Sequence, residues 1–130
     1  MMELLLGRRL ASKKEAIRSM TQNLSLPALY DRMIECWVID LEPWALLRGS
    51  EQLQRTQHVD ELFPGWGVIP FARRTDNDEV ACWTGGSVVV LDDFDVVRDA
   101  GGEAVRRAIS EYASMDEWLI AVVRDFIEFD

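Results

Sequence analysis

Between Val68 and Leu91 the chain holds three short apolar runs separated by tight polar turns. The runs are Val68–Ala72, Glu79–Trp83 and Ser87–Leu91, with Asp76-Asn77-Asp78 and Thr84-Gly85-Gly86-Ser87 at the breaks. Runs this short, punctuated by Asn, Asp and paired Gly, read as strands of an antiparallel meander. Pro70 lacks a backbone N–H, which places its strand at an edge or at a bulge. Val88, Val89, Val90 and Leu91 show no alternation, so that strand is buried on both faces. Helices are expected to cover one side of the sheet.

The flanks supply those helices. Ser12-Lys13-Lys14-Glu15 has the form of a capping box, followed by Ala16, Ile17, Met20 and Leu24 as an apolar stripe. Pro27 suits the first turn of a second helix, with Tyr30, Met33, Ile34 and Trp37 at helical spacing. Residues 37–41 read equally as strand or helix end. Pro43 interrupts any regular element, and Trp44–Leu47 reads as a short strand. Ser50 is a candidate cap for a Gln-rich helix over Leu53–Leu62. Glu103–Tyr112 is expected to be helical, with Val105, Ile109 and Tyr112 inward. Ser114-Met115-Asp116-Glu117 is a second capping box. It opens the best helical stripe in the chain: Met115, Trp118, Leu119, Val122, Val123, Phe126 and Ile127. Burying that whole stripe would contribute on the order of 10 kcal/mol before entropy is subtracted. Helices at both ends with strands between them predict one α+β domain over residues 1–130, its mostly antiparallel central sheet packed by N- and C-terminal helices.

Charge narrows the partner class. The formal net charge is −9. Phosphate backbones repel such a surface, whereas a basic protein is steered toward it, and nucleases are a common basic class. Solubility alone also accounts for an acidic surface. The distribution is uneven. Residues 1–20 are net basic through Arg8, Arg9, Lys13, Lys14 and Arg18. Residues 75–97 carry Asp76, Asp78, Glu79, Asp92, Asp93 and Asp95 and no base. The acidic half is therefore the expected partner-facing half. Five Trp are ample for a core, and any at the surface would suit a binding hot spot.

Catalytic constellations are not apparent. His58 is the only histidine, which leaves no His-based triad and no multi-histidine metal site. Lysine occurs only at 13 and 14, so there is no phosphate-loop Lys and no Schiff-base Lys in the folded middle. Counting from Asp76, the sixth and twelfth positions are Ala81 and Ser87 where a calcium loop needs Gly and Glu. Counting from Asp92, the sixth position is Val97. Both acidic stretches read as turns, a role compatible with partner contact. Carboxylates are plentiful, yet no pair marks a hydrolase. The expectation is a non-enzyme without metal or cofactor. Cys36 and Cys82 stand far apart in no metal-type spacing and are expected as buried reduced thiols. No apolar run approaches membrane-spanning length and no signal-peptide core is seen, which predicts a cytoplasmic protein.

The order of motifs resembles the SUKH superfamily. Leu26-Pro27-Ala28-Leu29-Tyr30 is similar to that family's helix opening, Ile69-Pro70-Phe71-Ala72 to its short strand and Asp76-Asn77-Asp78-Glu79 to its turn. Val80-Ala81-Cys82-Trp83, Val88-Val89-Val90-Leu91-Asp92-Asp93 and Tyr112–Leu119 follow in the family's order. Cys36-Trp37-Val38 and the missing turn glycine depart from it. The resemblance implies an immunity protein that binds and neutralises a cognate bacterial toxin, or else a non-enzymatic adaptor module, as other members of the family are. The expected contact residues are Asp76, Asp78, Glu79, Asp92, Asp93 and Asp95, with Trp66 and Trp83 as anchors.

Overall fold

A computed structural model describes residues 25–92, 97–98, 100–102, 104–105 and 107–129. Helix α1 spans Ala28–Glu35, followed by strands β1 (Asp40–Leu41) and β2 (Trp44–Leu46) and helix α2 (Gly49–Leu62). The meander comprises β3 (Ile69–Arg74), β4 (Glu79–Trp83) and β5 (Val88–Asp92). Short strands β6 (Val97–Arg98), β7 (Ala104–Val105) and β8 (Ser110–Tyr112) precede helix α3 (Met115–Glu128). The chain is α+β. Its six-stranded sheet is antiparallel throughout, in the order β1-β2-β3-β4-β5-β8, and β6 pairs separately with β7. The first capping box and its stripe, at residues 12–24, lie outside the described residues.

The sheet has a core on each face, where the sequence led us to expect helices on one side only. Along β5, Val88 and Val90 join a core with Trp44, Phe71, Met115 and Trp118, while Val89 and Leu91 join a second core with Val59, Phe63 and Val68. α1 and α3 cover the first face, and α2 with the loop that follows it covers the second. Unalternating β5 follows directly, since each of its Val and Leu side chains meets a helical layer. Pro70 sits at a bulge in a central strand: the register slips between Pro70 and Ala72. Both Phe71 and Ala72 consequently belong to the first core. The carbonyl of Pro70 accepts from Gln52 Nε2 at 3.0 Å and that of Phe71 from Leu47 N at 2.8 Å, so the irregular stretch keeps its hydrogen bonds.

Several local expectations are corrected. Glu103–Tyr112 is not a helix: Ala104–Val105 and Ser110–Tyr112 are strands, and Ile109 is exposed. Pairing with β5 wins there, because Val88, Val89 and Val90 would otherwise present an unpaired edge. α1 stops at Glu35, so Trp37 leaves the stripe and is 77% exposed. Its backbone is left-handed at φ 59°. The N–H of Trp37 bonds to Ile34 O and that of Val38 to Met33 O, which is a Schellman ending with tryptophan where glycine is usual. Cys36, the expected buried thiol, is exposed, and only Cys82 is buried. α2 begins at Gly49 with Arg48 as N-cap, not with Ser50, and Val59 is its one buried residue.

α3 starts as expected. Ser114 Oγ accepts from Glu117 N at 3.2 Å, and the Glu117 carboxylate accepts from Ala113 N, one residue earlier than in the usual box. Met115, Trp118 and Val122 are buried, but Val123, Phe126 and Ile127 are exposed. Only the first half of the stripe reaches the sheet.

Candidate protein-binding surface

The acidic residues gather at one end of the sheet because β3 ends, β4 begins and β5 ends there. β3 and β4 are joined by Thr75–Asp78, and Glu79 stands directly opposite Asp92 across the β4–β5 ladder. Directly opposed residues project to the same face, so Glu79 and Asp92 stand side by side on one face of the sheet. The turn is well built. Asn77 Oδ1 accepts from Glu79 N at 2.8 Å, and Asn77 Nδ2 donates to Glu79 Oε2 at 2.7 Å. Asp78 stands exposed at the tip.

Arg74 organises the face side of this end. Its Nε and Nη2 donate to the two oxygens of Asp76, both at 2.8 Å, and its Nη1 lies 3.7 Å from the Asp125 carboxylate on α3. Its guanidinium stands 5.6 Å from the Trp44 ring centroid. The Asp76 hydrogen bond, with the charges of Asp76, Glu79 and Asp125, holds Arg74 more firmly protonated than usual. The same bond keeps the Asp76 carboxyl below its ordinary range. One cation thus sits among three carboxylates and is bound most closely to Asp76.

Two acids that the sequence analysis did not single out join this end. Asp125 arrives with α3 through Arg74. Glu42, exposed in the β1–β2 turn, arrives because Thr75 N and Oγ1 both donate to Pro43 O, at 2.7 and 3.2 Å. Neither has a local sequence signal, since both are placed by pairing over long separations. Asp93 and Asp95 lie outside the described residues.

The two tryptophan anchors are elsewhere. Trp83 closes the opposite end of β4, about 13 Å from Glu79 at strand rise, and packs against the first core. Trp66 stacks edge-on against Phe63, with centroids 5.0 Å apart, over the second core. The acids and these tryptophans therefore do not form one patch. The exposed tryptophan is Trp37.

No protein-family model, curated protein or solved structure matches this chain. The likeness to the SUKH superfamily accordingly rests on motif order alone.

Among the described residues no three His, Cys, Asp or Glu side chains converge as a metal site would require. A cavity of about 10 Å³ lies between α1, the β1–β2 hairpin and α3, lined by apolar side chains including Met33, Trp44 and Trp118. It has room for about one water molecule, far below the ~300–1,000 Å³ of a small-molecule pocket. His58 is exposed on α2. No helix among the described residues is long and apolar enough to cross a membrane.

Proposed function

We propose that this protein is a binding module whose acidic sheet end captures a basic protein, and that its role is to neutralise a cognate bacterial toxin. The observation that carries the binding reading is the opposed Glu79–Asp92 pair beside Asp76, Asp78 and Asp125. Such a gathering of carboxylates steers a cationic partner toward this end of the sheet. The toxin-neutralising role is supported by the motif order shared with SUKH immunity proteins. A cytoplasmic location fits that role, because an immunity protein meets its toxin inside the cell.

The test begins with recovery of partners by the tagged full-length chain from its native cells at moderate salt. Any basic partner recovered near stoichiometry is then purified and its association rate measured against ionic strength. Asp78→Lys with Glu79→Lys should slow association roughly tenfold or more and flatten the salt dependence. Neutralisation is read as restored growth of cells expressing that partner. Association unchanged by the double reversal would sink the acidic-end reading. Several weak partners with no toxicity to relieve would point to the adaptor alternative.

A further inference from the structure

α3 turns an apolar seam away from the sheet. Ile120, Val123 and Ile127 are exposed, Ile120 at 57% and Ile127 at 74%, and they follow one another at spacings of three and four. That is the repeat by which one helix packs along another. The residues that do reach the sheet, Met115, Trp118 and Val122, lie on the other side of the helix. α3 therefore has two apolar faces, and the sheet fills one. Asp116 continues the seam toward the helix start and marks where its apolar part ends.

The side chains bordering the seam select its occupant. Glu117 and Arg124, both exposed, stand one heptad apart along one border, and Leu119 and Phe126 stand one heptad apart along the other. Consider a second α3 laid antiparallel, with Ile120 against Val123 of the second copy. Glu117 then falls beside Arg124 of that copy, and Arg124 beside its Glu117. The same two-fold axis sets Phe126 on Leu119 of the second copy along the other border. A slip of one heptad would set the two Arg124 side by side, and a parallel pairing would set Arg124 against Leu119. One arrangement satisfies both borders, and its occupant is the same helix.

We propose that two copies of this chain associate through α3, antiparallel about a two-fold axis, with Ile120, Val123 and Ile127 at the centre and two Glu117–Arg124 ion pairs at the border. This pairing is independent of the toxin reading. Asp125 lies on the far side of α3, where it meets Arg74, so the acidic end takes no part in the contact. The dimer is a weak one. Two helices roughly 21 Å long cover less than the ~800 Å² per partner of a standard interface, and each copy carries a formal charge of −9.

Sedimentation equilibrium of the full-length chain at about 0.15 M salt tests it. The chain should be a monomer–dimer mixture in the micromolar range. Arg124→Glu sets acid against acid along the border and should weaken the dimer roughly tenfold, and Glu117→Arg should do the same by setting base against base. Mixed in equal amounts, these two variants restore both ion pairs in one heterodimer and should recover the wild-type dissociation constant within about threefold. Ile120→Asp should abolish the dimer. Ile120 and Arg124 are exposed, so the chemical unfolding midpoints of their variants, read at concentrations where the chain is monomeric, should stay close to wild type. Glu117→Arg also loses the bond from Ala113 N; if it fails to fold, Arg124→Glu and Ile120→Asp decide the matter. A chain still monomeric at about 1 mM overturns the proposal. So does a dimer that Ile120→Asp or Arg124→Glu leaves intact, and so does a mixture of the folded charge variants no tighter than either alone.

Discussion

Trp118→Ala should remove a large part of the stability of this fold. Trp118 is 1% exposed and meets two aromatic neighbours edge-on, Trp44 with centroids 5.6 Å apart and Phe71 at 4.8 Å. Truncating a buried tryptophan to alanine costs about 3–5 kcal/mol, and each aromatic pair adds about 0.5–1.5 kcal/mol beyond area. One contribution runs the other way: the indole Nε1 is buried without a hydrogen-bond partner, and removing such a group recovers about 1–3 kcal/mol. The net expectation is about 3–5 kcal/mol, against a total of about 5–15 kcal/mol for a domain. With a urea slope of about 2 kcal/mol/M, the midpoint should fall by roughly 2 M. Trp118→Phe separates the two contributions. It keeps an aromatic ring in the site and deletes the orphaned N–H, so it should cost less than half as much as alanine. A midpoint shift under about 0.5 M for Trp118→Ala would refute the central placement of this side chain. A phenylalanine variant as unstable as the alanine variant would refute the account of the indole nitrogen.

Three further perturbations probe separate features. Ser114→Ala removes the oxygen that accepts from Glu117 N and should lower stability by about 1 kcal/mol, read as a reduced thermal midpoint. Trp37→Gly should raise stability by about 1 kcal/mol, because it relieves a left-handed backbone at φ 59° while losing a side chain that packs little; chemical denaturation would show it, and a loss would refute the strain argument. The Asp76 carboxyl is held below its ordinary value of 3.8 by Arg74, so the ion pair contributes fully above that pH and its contribution is lost as pH falls through the lowered value. Asp76→Asn should therefore destabilise slightly at pH 6, by under about 1 kcal/mol for so exposed a pair, and match the wild type near pH 2 in pH-dependent thermal melts.

The meander was legible because its turns are chemically explicit: Asn77 and the Gly85-Gly86 pair mark the breaks, and Glu79–Trp83 is a strand within the limits read from sequence. The start of α3 was legible for the same reason, a serine placed three residues before a glutamate. Residues 103–112 misled because Val105, Ile109 and Tyr112 happen to fall at helical spacing. The open edge of β5 overrode that periodicity, which no local window contains. The end of α1 was hidden because tryptophan occupies the glycine position of its terminal motif. At the candidate surface, Asp76, Asp78, Glu79 and Asp92 were foreseeable as neighbours, since a hairpin and its return strand carry them. Asp125 and Glu42 were not, because only the packing of α3 and the tie from Thr75 to Pro43 bring them there. Trp66 and Trp83 were expected to anchor the acidic surface, since tryptophan suits a binding hot spot. The length of β4 and the two sides of the sheet separate them.

The outer strands of the main sheet have a consequence for recognition. β1 is two residues long and β8 three, against five or six in the interior strands β3, β4 and β5. A foreign peptide laid against either margin would gain only two or three main-chain hydrogen bonds, too few to hold it by backbone pairing. Tapered margins also deny neighbouring copies a template for runaway stacking. The recognition proposed above would therefore rest on side chains at the ends of the strands, where charge and shape, unlike a repeating backbone, distinguish one partner from another.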